Sequence, residues 1–229
     1  MRGFLRAPWN WSERLNLRPS KIVCVGRNYV EHARELGNDV PSAPLLFLKP
    51  PSALIGPDES IVLPEASSQV EHEAEIGIVI RTRMKHASPE EAEQGIQGFV
   101  CLNDVTARDL QRTDGQWSRA KGFDTFCPVG PRIAEGLDWR QLEVIGRVNG
   151  VERQHGKASE MAFPIPFLVS YISGVMTLFP GDLIATGTPA GIGPLRPGDL
   201  VEVEIPGVGI LRNPVKAASP ALASRAKAS

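Results

Sequence analysis

The sequence predicts a mixed, β-rich α/β fold with a few short helices, and three observations carry that reading. Among 229 residues, Gly 22 and Pro 20 are both abundant, which favours many turns and short strands over long helices. Glu73 to Ile80 alternates with period two: Glu73, Glu75, Gly77 and Val79 face one way, Ala74, Ile76, Ile78 and Ile80 the other. Asn149-Gly150, set between the β-rich runs Val144 to Val148 and Val151 to Gln154, is the strongest short-range signal of a hairpin.

The remaining elements follow in order along the chain. Lys21 to Gly26 is a short apolar run ending in glycine and reads as a buried strand. Arg27 to Gly37 holds good helix formers and a terminal glycine that fits a helix stop. Leu45 to Leu48 is a strand stopped by Pro50-Pro51. Ser88-Pro89-Glu90-Glu91 supplies the cap and first turn of a helix running to Gln94. Phe99 to Leu102 is a further apolar run. From Pro166 to Leu178 the apolar positions fall on one helical face. Asp182 to Thr186 is a strand. Pro-Gly-Asp-Leu occurs at 180–183 and again at 197–200, each time before a β-rich run, and reads as a recurring turn rather than a duplicated domain. No linker divides the middle of the chain. The expected layout is an N-terminal extension over 1–20, one catalytic domain over 21–216 and a flexible tail over 217–229, where Ala and Ser dominate.

Composition excludes several classes of function. With 25 Lys+Arg against 26 Asp+Glu the net charge is −1, which argues against a phosphate-seeking surface and a nucleic-acid partner. Hydrophobic residues at 42% and charged residues at 22% are ordinary globular usage. No run of about 18 apolar residues exists, so no membrane span is expected. Cys24, Cys101 and Cys127 are an odd set without Cys-x-x-Cys spacing and with apolar neighbours. They read as buried thiols in a reducing compartment, the cytoplasm. Arg2, Arg6, Arg14 and Arg18 give the N-terminus a slight look of a transit peptide, but Pro8 and Pro19 interrupt any helix there, so it reads as an ordinary extension.

The chemistry is concentrated in a few stretches. In a strand Glu73 and Glu75 point to the same side, and two like charges that close either face water or hold something positive. His72 does not start a His-Glu-x-x-His zinc site, because position 76 is Ile. Asp104 follows an apolar run and leads into a helical turn, where it can join a metal site, while Asp109 reads as an ion-pair partner of Arg108 or a cap. Glu73, Glu75 and Asp104 together give an all-oxygen donor set suited to Mg²⁺, Mn²⁺ or Ca²⁺. His32 and Glu35 are three apart on one helix face, the arrangement of a general base held by a carboxylate. Lys121 reads as an exposed lysine or an anion ligand. The loop Gly187-Thr188-Pro189-Ala190-Gly191 lacks a P-loop lysine, yet its amides and the Thr188 hydroxyl can cradle a carboxylate.

Together these motifs resemble the fumarylacetoacetate hydrolase family. The resemblance rests on Gly-Arg-Asn-Tyr with His32 and Glu35, Phe-Leu-Lys-Pro at 47–50, His-Glu-x-Glu at 72–75, Asn-Asp-Val-Thr-Ala-Arg-Asp at 103–109 and Gly-Thr-Pro at 187–189, and spans roughly residues 20 to 215. The nearest look is to its short acylpyruvase and oxaloacetate decarboxylase branch. The resemblance implies the β-roll of the family's C-terminal domain, usually as a homodimer, with Mg²⁺ or Mn²⁺ on Glu73, Glu75 and Asp104. It implies catalytic roles for His32, Glu35 and Lys121, and substrate contacts at Arg27, Gln111 and Thr188. The expected reaction is metal-dependent hydrolysis of the C–C bond of a 3-acylpyruvate, a small β-diketo or 2-oxo acid, with oxaloacetate decarboxylation chemically adjacent. The alternative is a 2-hydroxyhepta-2,4-diene-1,7-dioate isomerase or decarboxylase of aromatic-acid catabolism.

Overall fold

The computed structural model describes residues 17–218 except Leu36, Asn38 and Val40. Most of the expected extension and tail therefore lie outside the described residues. Three sheets and a handful of short helices make up the fold. The largest sheet has seven strands: β1 (Ile22–Gly26), β2 (Leu45–Lys49), β3 (Leu54–Ile55), β6 (Ala74–Ile80), β7 (Ile96–Asn103), β9 (Cys127–Ala134) and β12 (Leu183–Ala185). Their order across the sheet is β2-β1-β12-β6-β7-β9-β3. A five-stranded sheet runs β11-β10-β14-β15-β4, built from β4 (Ile61–Leu63), β10 (Glu143–Val148), β11 (Val151–Lys157), β14 (Leu200–Ile205) and β15 (Gly209–Ala217). The smallest, β13-β5-β8, joins β5 (Val70–His72), β8 (Thr106–Ala107) and β13 (Gly193–Pro194). The expected β-rich mixed fold is the observed one.

The large sheet is apolar on both faces, which is why β6 reads as a nearly continuous hydrophobic run and is buried along its whole length. Ile76, Ile78 and Ile80 pack with Phe99, Val144, Val203, Leu211 and the helix α5 (Ile165–Val175), which contributes Ile165, Leu168, Val169 and Ile172. On the opposite face Val79 joins Ile22, Cys24, Val100, Leu102, Leu183 and Cys127, and Leu17 closes this second cluster from the N-terminal side. Each such side chain withdrawn from water stabilises the fold by roughly 1.5–3 kcal/mol before entropy is subtracted. All three cysteines are free and buried, and burial pushes the Cys101 and Cys127 thiols up to about 12, so they serve as packing.

Local chemistry explains the connections. Asn149 (φ 54) and Gly150 (φ 76) form the left-handed pair that a tight β10–β11 hairpin needs. The two Pro-Gly-Asp-Leu turns share one device: the Phe179 N–H donates to Asp182 Oδ2 (2.8 Å) and the Arg196 N–H to Asp199 Oδ2 (2.7 Å), each aspartate closing the turn three residues behind it. Asp182 also accepts from the backbone and hydroxyl of Ser20 at 2.9 and 2.7 Å, so the packed body reaches back to residues 17–20. The remaining short helices are α1 (Val30–Glu35), α2 (Pro89–Gln94), α3 (Arg108–Thr113) and α4 (Ser118–Gly122). The expected Ser88 cap is in place on α2, as a full capping box with Glu91.

Candidate active site

The acidic centre is built where two neighbouring strands end. Between β5 and β6 the chain breaks at Glu73, whose N–H donates to Asn103 Oδ1 at 2.9 Å, and the Asp104 N–H returns to Glu73 O at 2.9 Å. Ala74 on β6 faces Asn103 on β7, so Asp104, one residue on, arrives beside the glutamates. One carboxylate oxygen from each of Glu73, Glu75 and Asp104 lies within 4.8 Å of the other two, and all three side chains are buried.

Cations converge on this centre from three elements. Lys121 on α4 is 2% exposed and donates to Glu73 Oε2 (2.9 Å) and Asp104 Oδ2 (2.6 Å), so the exposed-lysine reading fails. Lys49, the last residue of β2, donates to Asp104 Oδ1 (2.6 Å) and Val105 O (3.0 Å). Arg108 at the start of α3 donates to Glu71 Oε2 at 2.7 Å and also binds Glu73 and Gln111. Asp109 is therefore not its partner; that carboxylate accepts instead from Ser67 Oγ and the Ser68 N–H at 2.6 and 2.8 Å. Desolvation works against ionisation of Glu73, but Lys121 and Arg108 outweigh it and hold the carboxyl far below its usual range. Glu75 goes the other way. Burial raises it well above the ordinary value, and the charges of Asp104 and Glu73 push in the same direction. Its Oε2 accepts the Gly187 N–H at 2.7 Å.

The second half of the site is α1. Asn28 fixes its root, donating to Thr186 O at 2.8 Å and accepting the Phe163 N–H at 2.9 Å. His32 Nδ1 lies 3.1 Å from Glu35 Oε2, and Glu35 Oε1 accepts the Gly191 N–H at 3.0 Å. The loop Gly187–Gly191 thus binds the chain's own carboxylates, Glu75 at one end and Glu35 at the other. The Thr188 hydroxyl donates to Ala74 O (2.9 Å) and accepts from Gln154 Nε2 (2.7 Å), which pins the loop to the start of β6. Gly191 can hold this place only as glycine: its φ is +100, and a Cβ would stand 1.9 Å from Arg153 O.

A cavity of about 460 Å³ joins the halves. Arg27, His32, Glu35, Glu73, Glu75, Asp104, Gln111, Lys121 and Thr188 all line it, and Phe47, Arg108, Arg112 and Trp117 are also in its wall. Phe47 and Trp117 meet edge-to-face at 5.3 Å, and the Lys121 ammonium sits 4.9 Å from the Phe47 ring centre.

Comparison with known proteins places this geometry. Residues 21–216 match the model of the fumarylacetoacetate hydrolase C-terminal domain. The chain belongs to the fumarylacetoacetate hydrolase family. It is 50% identical over 200 residues to an uncharacterized protein of Methanocaldococcus jannaschii, covering 87% of this chain and 84% of that one. It is 40% identical over 210 residues to a mitochondrial oxaloacetate tautomerase of Homo sapiens, covering 86% and 67%. Among solved structures, a 5-carboxymethyl-2-hydroxymuconate delta-isomerase from Mycobacterium smegmatis superposes with a TM-score of 0.83 at 47% identity, covering 89% of this chain and 81% of that one. A 2-hydroxyhepta-2,4-diene-1,7-dioate isomerase from Mycobacterium marinum gives 0.82 at 47% identity, covering 89% and 77%. Members of the fumarylacetoacetate hydrolase family are enzymes of isomerase, hydrolase and decarboxylase type that act on small acids and generally depend on a metal. No helix among the described residues is long and apolar enough to cross a membrane.

The residues present fit such a metal. Three buried carboxylates at one point form an all-oxygen set for a hard divalent cation, and the four buried acids Glu71, Glu73, Glu75 and Asp104 stand against three buried cations, Lys49, Lys121 and Arg108. Sequence motifs alone give no site role to Lys49, Arg108 or Gln154. Lys49 had a weak signal, as the one charged residue between the apolar run Leu45 to Leu48 and Pro50-Pro51. Gln154 had none, because it sits in a hairpin strand whose other residues mostly face solvent.

Proposed function

We propose that this chain interconverts the enol and keto forms, or shifts the conjugated double bond, of a small 2-oxo dicarboxylic acid at a site that Glu73, Glu75 and Asp104 form for Mg²⁺ or Mn²⁺. The observation that carries the reading is the single cavity in which the His32–Glu35 pair faces that carboxylate cluster. The names of relatives at 40–47% identity, an oxaloacetate tautomerase and two isomerases, support proton transfer as the reaction type. The bound cation would supply Lewis acidity that stabilises enolate charge on the 2-oxo acid.

The chain's own residues account for the rest. Glu35 accepts from His32 Nδ1 and so fixes the tautomer with the proton there, leaving Nε2 as the base that takes a proton from the substrate carbon and returns it elsewhere. Arg27 offers the substrate a cation on the cavity wall, while Lys121 and Arg108, held by the clustered carboxylates, keep that wall from repelling an acid. Phe47 and Trp117 give the carbon chain an apolar face.

A second reading, hydrolysis of the C–C bond of a 3-acylpyruvate, rests on the same dyad. A base held by a carboxylate can equally take its proton from water, and a cavity of about 460 Å³ has room for water beside a small acid. The two readings separate on a substrate panel with Mg²⁺: enol oxaloacetate, 2-hydroxyhepta-2,4-diene-1,7-dioate, acetylpyruvate and fumarylpyruvate. Isomerisation of either diacid faster than cleavage of either acylpyruvate is the expected result. Cleavage without isomerisation would replace the first reading by the second. His32→Ala should lower kcat by about 100-fold or more while leaving metal binding intact.

A further inference from the structure

Gln154 is 1% exposed on a strand that otherwise largely faces solvent, and its amide is fully occupied. Nε2 donates to Thr188 Oγ1 and to Pro189 O, both at 2.7 Å. Oε1 accepts the Ala74 N–H at 2.9 Å and lies 2.9 Å from His72 Nδ1. The orientation admits no alternative, since Pro189 O only accepts and the Ala74 N–H only donates. Gln154 Oε1 only accepts, so His72 Nδ1 carries the proton and is the donor.

The four partners occupy telling positions. Ala74 lies between Glu73 and Glu75. Thr188 and Pro189 lie between Gly187, whose N–H holds Glu75, and Gly191, whose N–H holds Glu35. One amide therefore ties the strand that carries two of the three clustered carboxylates to the loop that reaches the His32–Glu35 pair. We infer that Gln154 is a positioning residue that sets the carboxylate cluster against the His32–Glu35 pair through the Gly187–Gly191 loop. It touches neither substrate nor metal. The inference rests on the proposed divalent-cation site, and it extends that proposal to a residue outside the cavity wall.

The test uses the purified full chain. Mn²⁺ affinity is measured by electron paramagnetic resonance without substrate, kcat and KM on the best substrate of the panel, and unfolding by thermal melt. Gln154→Met keeps the size and removes all four bonds. It should weaken Mn²⁺ binding on the order of tenfold and lower kcat on the order of tenfold or more, with KM changed by less than about threefold. Thr188→Val should weaken Mn²⁺ binding in the same direction, and Thr188→Ser, which keeps the hydroxyl that Gln154 holds, should restore it. Glu152→Gln, on the exposed side of the same strand, should change none of these. Mn²⁺ affinity and kcat within about twofold of wild type in Gln154→Met would overturn the inference. So would a loss that tracks the melting temperature alone, or equal Mn²⁺ affinity in Thr188→Val and Thr188→Ser should the methionine variant not fold. Wild type that binds Mn²⁺ but turns over no substrate would sink the proposed reaction, while the Mn²⁺ comparison would still decide the role of Gln154.

Discussion

At the scale of single residues, the site is a problem in buried charge. Glu71, Glu73, Glu75 and Asp104 are all withdrawn from water, and Lys49, Lys121 and Arg108 are withdrawn with them. Taking an ion out of water costs several kcal/mol, so each of these groups is tolerable only with its partners in place. Lys49 shows the principle most simply, because its Nζ has Asp104 Oδ1 and Val105 O as hydrogen-bond acceptors and lies 6.0 Å from the centre of the Phe126 ring. Lys49→Met removes one cation and leaves Asp104 leaning on Lys121 alone. It should destabilise the fold by about 3–5 kcal/mol in chemical denaturation, as broken buried pairs do. A loss below about 1 kcal/mol would mean that Asp104 finds another counter-charge when Lys49 is gone.

At the scale of elements, short pieces of backbone are held by side chains that close on neighbouring turns. The start of α3 is an example: Asp109 accepts from Ser67 Oγ, from the Ser68 N–H and hydroxyl, and from the Leu110 N–H, which ties the helix to the approach to β5. The small burial of the group pushes its pKa upward, but these bonds outweigh that and hold the carboxyl at about 2. A folded-state pKa depressed below the unfolded value gives stability that is present above the unfolded pKa and lost as pH falls through the folded one. The contribution of Asp109 should therefore be full at neutral pH and fade between about pH 4 and pH 2. Asp109→Asn should be less stable than wild type at pH 7, with the gap closing across that window. A gap independent of pH would show that the charge of Asp109 is not what the serines recognise.

At the scale of the whole molecule, the carboxylate cluster sits on a sheet packed on both faces, so charge at the site and stability of the fold are linked. A cation that binds only the folded chain stabilises it by RT ln(1 + [L]/Kd), about 2.7 kcal/mol at a hundredfold excess over Kd. Mg²⁺ or Mn²⁺ should therefore raise the melting temperature, and chelation should lower it again. Glu75→Gln, which takes one charge from the cluster, should raise the melting temperature of the metal-free protein and abolish most of the metal-induced shift. A shift of undiminished size in that variant would place the stabilising cation elsewhere.

Much of this was legible before the structure. Period two brought Glu73 and Glu75 together, although Glu73 falls at the break before β6 rather than in the strand, and the apolar alternation of Ile76, Ile78 and Ile80 named the face that packs on α5. The spacing of His32 and Glu35 gave the dyad, and Asn149-Gly150 gave the hairpin, because each signal is local and acts through a few bonds. What the sequence left open depended on contacts far apart along the chain. Asp109 reads as a partner of Arg108 or a cap, and of these the ion pair is not formed, because Arg108 turns to Glu71 and Glu73. The Gly187–Gly191 loop reads as a cradle for a carboxylate, and the two carboxylates that its terminal amides hold are the chain's own Glu75 and Glu35, the latter 156 positions away. By itself the sequence determined the strand faces, the turns and the residue types that meet at the site, since those follow from backbone periodicity and side-chain chemistry. Only the tertiary structure decided which charge pairs with which, because in a desolvated centre every donor and acceptor is allotted by geometry, and one amide such as Gln154 can settle several allotments at once.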